Sequence, residues 1–207
     1  MLNSKKMIIE FYGLPGSGKT TTARQLVSSS GFEKVKIKNI KEITFFNLLF
    51  LFKHPVKFFV LLYFIISNSN SMSMFYSKFI NAFLVRNAKY EKALRYKNAI
   101  IDEGHFQNIL SVFEKPITEK SLMKYLRFTL YPDFLIIFDI NKEELAKRIE
   151  KRGYISREDL GTKYLEGWKK VTAKNHELLL SSKDRLDVRY LVYSRDNIGD
   201  ILNMVSA

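Results

Sequence analysis

The sequence predicts a three-layer α/β fold, in which a central parallel sheet of about five strands carries helices on both faces. A short apolar segment, Met7–Tyr12, runs into a glycine-rich turn and then into a helical pattern that begins at Lys19. Two more short apolar segments, Ala99–Ile101 and Phe134–Phe138, are each followed by an acidic residue. Strands separated by helical segments of this length are typical of a parallel sheet that is covered on both faces.

The length and composition predict a single domain over residues 1–207, with room for an inserted helical region. The chain has no cysteine, which excludes disulfides and thiolate metal sites. The first ten residues lack the apolar run of a secretion signal, so we expect a cytoplasmic protein. The formal net charge of +13 favours anionic partners such as nucleotides, phosphorylated metabolites, nucleic acid or acidic lipids.

Residues 43–66 are the most apolar part of the chain, but Lys53, His54, Pro55 and Lys57 interrupt them. Each flanking piece has about ten residues, roughly half of the ~20 that a membrane-spanning helix needs. Since Pro55 would also break a continuous helix, we predict two helices that meet at a hinge. A membrane span and an interfacial pair of helices that rests on a membrane are the alternatives.

The region after this apolar segment is basic. Asn68–Ser73 predicts a polar loop, and residues 75–97 resume a helical pattern. Residues 43–98 carry eight Lys or Arg and one acid, Glu91, which gives a local charge of +7. We therefore expect a basic and apolar helical insert over residues 40–98.

The remaining elements are predicted from caps and short apolar runs. The first helix should end at Gly31, because glycine is the usual residue at a helix C-terminus. The others are a helix from Asn141 to Gly153, a strand over Leu186–Tyr193 and a short helix over Asn197–Val205.

The turn after the first strand, GLPGSGKT, matches the phosphate-loop pattern G-x-x-x-x-G-K-[ST] in the strand-then-helix context that the pattern requires. Glycines let consecutive backbone N–H groups converge on phosphate oxygens at a helix N-terminus. Lys19 would reach the β- and γ-phosphates, and the Thr20 hydroxyl would bind Mg²⁺. The predicted cradle consists of Gly13, Gly16, Ser17, Gly18, Lys19 and Thr20, with an ordinary glycine-rich turn as the alternative.

Asp102 and Glu103 follow the apolar strand Ala99–Ile101. Carboxylates at this edge of a parallel sheet face the same crevice as the phosphate loop. One of them would hold Mg²⁺ through water, and the other would orient or deprotonate an acceptor hydroxyl. The alternative is that both acids merely end the strand. We expect His105 to be a hydrogen-bonded bystander.

Three arginines follow the strand Phe134–Phe138: Arg148, Arg152 and Arg157. Arg148 and Arg152 share a helix face, and planar guanidinium groups suit the clamping of a transferring phosphoryl group. The helix leads into a hinged lid over residues 150–162, which would exclude water. The alternative is an ordinary solvated helix, because Glu144 and Arg148 also have the spacing of an i,i+4 ion pair.

The order of GLPGSGKTT, IIDEGH and YPDFLIIFDINKEELAKRIEKRG resembles the P-loop nucleoside and nucleotide kinase family, most nearly its thymidylate-kinase-like branch. The resemblance covers residues 7–30 and 99–160, and the last strand loosely. It implies a P-loop fold in which Lys19 and the three arginines clamp phosphates, and Thr20 and Asp102 lie on the magnesium side. It also implies that Thr21 contacts the α-phosphate and that the loop at Ser194–Asp196 lies against adenine.

The function expected on these grounds is Mg²⁺-dependent transfer of the ATP γ-phosphoryl group to a small acceptor, either a nucleoside monophosphate or a nucleoside. The insert over residues 40–98 would bind an acceptor that is anionic, partly apolar or presented at a membrane. The alternatives are a P-loop ATPase or switch protein, and a kinase of a sugar or lipid-linked acceptor. No nucleic-acid partner is expected, while a homodimer and peripheral membrane contact through residues 43–66 remain open.

Overall fold

The computed structural model describes residues 6–152, 157, 161–194, 199, 201 and 203. Within these residues the sheet has five strands: β1 (Met7–Gly13), β2 (Glu33–Lys34), β3 (Asn98–Ile101), β4 (Phe134–Phe138) and β5 (Arg189–Tyr193). They pair in the order β2-β3-β1-β4-β5, and every pair is parallel. The predicted central parallel sheet of about five strands is confirmed.

Helices connect these strands. They are α1 (Lys19–Ser30), α2 (Ile40–Lys53), α3 (Pro55–Ser67), α4 (Met72–Lys78), α5 (Val85–Ala93), α6 (Asn108–Ser111), α7 (Glu119–Leu126), α8 (Lys142–Arg152) and α9 (Thr162–Ser182). A π-helical segment, Phe79–Leu84, joins α4 to α5. Gly31 ends α1 with φ = +67°, as predicted. The side chain of Asn141 caps α8 by accepting a hydrogen bond from the backbone N–H of Glu144 at 2.8 Å.

The sheet separates two main apolar layers. Alternate residues of β1 and β4 pack on one face against α1, among them Ile9, Phe11 and Ile136. The other face, with Tyr12 and Leu135, packs into a larger cluster that includes side chains of the helical insert and of α6, α7 and α9. Because β1 is buried on both faces, its sequence is almost continuously apolar.

The apolar segment forms two helices, as predicted, because the chain bends at Pro55. Pro55 occupies the first position of α3, where its missing N–H costs nothing. Among the residues that the structure describes, no single helix combines the length and the apolar composition that crossing a membrane requires; α2 and α3 do so only when taken together, as a pair bent by 117°.

Several predicted boundaries differ from the structure. The helical pattern of 75–97 begins earlier, at Met72, and its last helix ends at Ala93. The last strand begins at Arg189 rather than Leu186, because a 3₁₀ turn over Lys183–Arg185 precedes it. Strand β2 was not predicted, because its two residues are both charged and leave no apolar pattern. The predicted helix over 197–205 lies largely outside the described residues, as does much of the predicted lid at 150–162.

Candidate functional site

The glycine-rich turn between β1 and α1 has a backbone that favours glycine. Gly16 has φ = +86° and Gly18 has φ = +99°, both in the left-handed region. Gly13 has no room for a side chain, because a Cβ there would lie 2.8 Å from the Cβ of Phe138 on β4. The turn therefore presents backbone rather than side chains at the carboxyl edge of the sheet.

The N-terminus of α1 opens onto this turn. Its first turn contains no acidic residue, and its N-cap residue, Gly18, has no side chain that could cap the helix. The first N–H groups of a helix lack partners within the helix, and together with the helix dipole they attract anions. Thr20 and Thr21 are exposed here. The exposed Thr20 hydroxyl can accept a metal ion that arrives with a nucleotide.

The ammonium group of Lys19 lies inside the turn. Its Nζ donates to the carbonyl oxygens of Gly13 at 2.7 Å and Leu14 at 3.1 Å, and it lies 3.5 Å from Oγ of Ser17. These contacts place a buried positive charge beside the backbone that is predicted to hold phosphates. The predicted residues from Gly13 to Thr20 thus form one contiguous cradle with a cation in it.

Helix α8 lies against this cradle. Arg148 donates from Nη1 to the carbonyl oxygen of Ser17 at 3.1 Å and from Nε to Glu144 at 2.9 Å. A Cβ on Gly16 would lie 3.1 Å from Ile149 of the same helix. Arg148 therefore has the i,i+4 ion pair of an ordinary solvated helix and also contacts the phosphate loop. The side chain of Arg152 lies outside the described residues.

A second segment, residues 104–107, braces the turn from the other side of β1. The side-chain amide of Gln107 makes two bonds to the backbone of Gly13: it accepts from the N–H at 3.2 Å and donates to the carbonyl oxygen at 3.1 Å. The buried carboxyl group of Glu10 accepts hydrogen bonds from the N–H groups of Phe106 at 2.8 Å and Gln107 at 3.2 Å, and from the hydroxyl of Tyr90. Sequence reasoning missed Glu10 and Gln107, because no motif marks them.

Asp102 and Glu103, the predicted acids, have different surroundings. Both carboxylate oxygens of Asp102 are paired, one with Lys34 at 2.5 Å and the other with Lys89 at 3.0 Å. Burial pushes the pKa of Asp102 upward, but these two lysines outweigh it and hold the pKa below its usual value. The Glu103 side chain is about half exposed, and its carboxylate lies 4.0 Å from the guanidinium of Arg86. Of the two acids, Glu103 is the one that faces the cavity described below.

His105 is fully buried and hydrogen-bonded through both ring nitrogens. Its Nδ1 accepts from the backbone N–H of Leu130 at 3.0 Å, so Nε2 carries the proton and donates to Oδ1 of Asn87 at 2.9 Å. Burial lowers the pKa of His105 to about 3. The imidazole is therefore neutral at physiological pH and holds three segments together.

A cavity of about 400 Å³ opens beside the phosphate loop. Part of its lining comes from the phosphate loop, through Pro15, and from the segment that follows β3 in the chain, through Glu103 and Gln107. The rest of the lining comes from the insert, from α6 and from the C-terminal part of the chain. These residues are Ser73, Met74, Ser77, Lys78, Asn81, Ala82, Arg86, Leu110, Ser111, Arg157 and Trp168. The cavity thus lies between the phosphate cradle and the predicted insert.

Three cations line this cavity, and each is held by specific partners. The Nζ of Lys78 is 2.6 Å from Glu114, and the same carboxyl group pairs with Arg157 at 3.0 Å. Arg86 is buried, and its guanidinium donates hydrogen bonds to the side-chain oxygen of Asn108 and, at 3.0 Å, to the hydroxyl of Ser111. Nothing in the sequence distinguishes Arg86 from the other basic residues of 43–98, so its place in the site was not predicted.

Arg157, the third predicted arginine, is turned away from the phosphate loop toward α9. It donates to the hydroxyl of Tyr164 at 2.6 Å and to the carbonyl oxygen of Ser111 at 2.7 Å, and its guanidinium lies 5.1 Å from the ring centre of Trp168. In this structure Arg157 forms part of the cavity wall rather than a clamp on the loop. Its predicted phosphate role stays a prediction.

Magnesium would have few protein ligands here. Across the residues that the structure describes, no group of three or more His, Asp or Glu side chains is arranged to hold a metal ion. The Thr20 hydroxyl fits a nucleotide-bound ion, because it is exposed at the start of α1 beside the cradle. Asp102 fits less readily, because Lys34 and Lys89 occupy its oxygens.

The sheet order, the phosphate loop and the adjoining cavity define the class: this chain has the fold of the P-loop nucleoside and nucleotide kinases. The structure of deoxyadenosine kinase from M. mycoides with bound dATP is similar over 97% of this chain and 100% of its own, with a TM-score of 0.58 and 18% identity. The same enzyme with bound dCTP is similar over 97% and 99%, with a TM-score of 0.50 and 20% identity.

A second kind of kinase shares the fold. Thymidylate kinase from Candida albicans is similar over 98% of this chain and 90% of its own, with a TM-score of 0.51 and 14% identity. No protein-family model matches the sequence, and no curated protein matches it. The resemblance that the motifs predicted is thus supported by the fold.

Proposed function

We propose that this protein is an ATP-dependent phosphotransferase of the nucleoside or nucleotide kinase type. The observation that carries the proposal is a cavity of about 400 Å³, large enough for a small acceptor, that borders the same loop that holds the buried Lys19. Pro15 of the loop lines this cavity, so a γ-phosphate held in the cradle would lie next to the bound acceptor. The shared fold with kinases that are named for a nucleoside and a nucleotide supports the same class.

The donor would bind through the backbone of the cradle. N–H groups from Gly16 to Thr21 bind its phosphate oxygens, and the ammonium of Lys19 exchanges its carbonyl partners for the β- and γ-phosphates. Arg148 donates a hydrogen bond to the carbonyl oxygen of Ser17 in the loop, and from this position it neutralises charge on the transferring phosphoryl group. A Mg²⁺ ion bound with ATP would supply further charge neutralisation, and the Thr20 hydroxyl is the residue placed to hold it.

In the transfer step, an acceptor oxygen forms a bond to the γ-phosphorus while the bond from that phosphorus to the β–γ bridging oxygen breaks, which releases ADP. That oxygen is a phosphate oxygen in a nucleoside monophosphate and a hydroxyl oxygen in a sugar or nucleoside. Where the acceptor reacts through a hydroxyl, its proton passes to the carboxylate of Glu103, which faces the cavity. Asp102 is less suited to take it, because both its oxygens are bound to lysines.

The acceptor is proposed to be anionic, because three cations line the cavity and outnumber the two nearby carboxylates, Glu103 in the lining and Glu114, which pairs with Lys78 and Arg157. A nucleoside monophosphate satisfies this requirement, and a phosphorylated sugar is the alternative acceptor with the same charge. The cavity wall contains one aromatic side chain, Trp168, among the described lining residues.

Acceptor-dependent release of ADP tests the proposal. Purified protein with Mg²⁺ and ATP would be screened against nucleosides, nucleoside monophosphates, sugars and sugar phosphates. We expect ADP release to rise with at least one acceptor, to be lost in Lys19→Ala, and to persist in Lys170→Ala, which removes an exposed lysine of α9. ADP release that is independent of every acceptor would instead indicate an ATPase, and silence with intact ATP binding would contradict a kinase of these acceptors.

A further inference from the structure

The exposed sides of α2 and α3 carry large apolar side chains at helical spacing. On α2, Phe45, Leu48 and Phe52 lie three and four residues apart and therefore share a face. On α3, the corresponding face carries Val56, Phe59, Tyr63 and Ile66. We call these seven residues the apolar stripe. Their exposure ranges from 47% for Phe45 to 79% for Phe52.

The stripe is unusual for a protein surface. Single exposed apolar residues are normal, but a run of them along consecutive helices marks an interaction site. Phe52 and Val56 are four residues apart in the sequence and lie on either side of Pro55, where the helix pair is bent by 117°, so each helix carries exposed apolar residues up to the bend. Three of its members are phenylalanines, which are typical of the apolar face of helices that lie in a membrane interface, and one is a tyrosine, a residue enriched at membrane–water interfaces.

The charges around the stripe have one sign. The segment between Glu42 and Glu91 contains no acidic residue. Those two bounding acids are paired with lysines of the same region: Glu42 with Lys92 at 2.7 Å, and Glu91 with Lys53 at 2.7 Å. Neither acid therefore offsets the charge that the surface presents to a partner.

Cations border the N-terminal end of the stripe. Lys41 is exposed one helical turn before Phe45, and the guanidinium of the exposed Arg95 lies 5.1 Å from the ring centre of Phe45. Lys36 and Lys38 are exposed in the segment that leads into α2. We call Lys36, Lys38, Lys41 and Arg95 the basic rim. An apolar face beside exposed cations has the chemistry of helices that lie in the headgroup region of anionic bilayers.

We propose that α2 and α3 dock this protein on the surface of an anionic lipid bilayer. The apolar stripe enters the boundary between headgroups and acyl chains, and the basic rim binds lipid phosphates. A second copy of this chain fits the same face poorly, because an isologous contact would bring two basic rims together without acids to pair them.

Vesicle flotation tests this proposal with the full chain. Purified protein would be mixed with vesicles of phosphatidylcholine alone and with vesicles of phosphatidylcholine and phosphatidylglycerol, at low and at high salt. We expect the protein to float with the anionic vesicles, to stay below with the neutral ones, and to be released by salt, which screens the rim. Equal flotation with both kinds of vesicle, or with neither, would overturn the proposal.

A pair of substitutions tests which residues are responsible. The double variant Phe52→Glu, Phe59→Glu should lower the vesicle-bound fraction by at least about tenfold, because burying one phenylalanine side chain is worth a factor of that order. The charge reversals Lys38→Glu and Arg95→Glu should also weaken binding, by about fivefold each. Val27→Glu is the matched control, since Val27 is an exposed apolar residue on α1.

Thermal unfolding of each variant would verify that it folds. The comparison of neutral with anionic vesicles uses the wild-type protein, so it does not depend on the folding of any variant. Light scattering measures the oligomeric state and so tests the competing occupant of this face, a second copy of the chain. A wild-type dimer that the double variant converts to a monomer, without flotation on any vesicle, would assign the face to a second copy and contradict lipid docking. A monomer that floats on anionic vesicles supports the proposal.

Discussion

Glu10 is a buried acid at the centre of an apolar strand. Its side chain is fully buried, and Gly104 has no room for a Cβ because that atom would lie 2.5 Å from the Glu10 carboxyl carbon. Burial raises the pKa of Glu10 to about 7, although its hydrogen bonds from Tyr90 and the backbone act in the opposite direction. A carboxyl group buried in this way fixes the segment that holds the phosphate loop.

The pKa shifts of Glu10 and His105 predict opposing effects of pH on stability. Between the unfolded pKa of Glu10, 4.5, and that of His105, 6.5, native Glu10 keeps a proton that the unfolded chain has lost, so stability falls as pH rises. Native His105, with its pKa of about 3, lacks a proton that the unfolded chain holds, so stability rises with pH. Each slope is about 1.4 kcal/mol per pH unit, and the two cancel in this window.

Glu10→Gln should remove one of these slopes. Glutamine mimics the protonated carboxyl group, so the His105 slope would remain alone. The unfolding free energy of the variant should then rise by up to about 3 kcal/mol more than that of wild type between pH 4.5 and 6.5. Urea unfolding at several pH values measures this difference, with Glu166→Gln on the surface of α9 as the control. Parallel pH profiles for wild type and Glu10→Gln would show that Glu10 does not titrate as described.

Substitutions of the two neighbouring acids, Asp102 and Glu103, should have different effects on activity and stability. With an acceptor that reacts through a hydroxyl, Glu103→Gln should lower kcat by about 10²–10⁴-fold with little loss of stability, because it removes the proposed proton acceptor from the cavity. Asp102→Asn should mainly lower stability, because it leaves Lys34 and Lys89 without their shared partner. Steady-state kinetics and thermal unfolding of both variants decide between them. The reverse outcome, with activity lost in Asp102→Asn and kept in Glu103→Gln, would exchange the two roles.

The helix that runs from α4 into α5 places the insert against the site. Its π-helical segment, Phe79–Leu84, lies between Lys78 and Arg86, so both cations reach the cavity. Single turns of π-helix are frequent at functional sites, because the extra residue changes the direction of the side chains that follow. This element supplies the positive wall of the proposed acceptor site.

Arg86→Met should impair the acceptor step more than ATP binding. The substitution keeps much of the side-chain volume but removes a buried guanidinium from the cavity wall. We expect kcat/KM for an anionic acceptor to fall by about 10–100-fold, the cost of a charged hydrogen bond. The dissociation constant of ATP should change little. Arg185→Met, at an exposed arginine, is the control, and equal losses for acceptor and ATP would remove Arg86 from the acceptor site.

At the scale of the whole molecule, the site lies where two parts of the chain meet. Residues 7–30 and 99–152 build the sheet edge and the phosphate cradle, whereas residues 73–86 of the insert close the cavity. The first part could be predicted because its information is local: the loop pattern, the apolar strands and the caps are each contained within a few residues.

The second part could not be predicted, because its contacts join distant residues. Arg86 meets Asn108, and Gln107 meets Gly13 across 94 positions, yet neither pairing leaves a periodic pattern. Lys34 and Lys89 bind Asp102 from two different elements. The sequence does not reveal these two ion pairs, and for that reason it predicted only an acid that faces the phosphate crevice. Buried polar networks of this kind are fixed by the fold rather than by local propensity.

Calorimetric titration of ATP into the protein in magnesium buffer tests the central claim, that the turn from Gly13 to Thr20 binds a polyphosphate with the help of Lys19. We expect saturable binding at one site per chain in the wild type. Lys19→Ala should weaken this binding by at least about tenfold, since it removes a charged contact, whereas Lys170→Ala should bind as wild type does. No heat of association with ATP, ADP, GTP or GDP at any concentration would contradict the account.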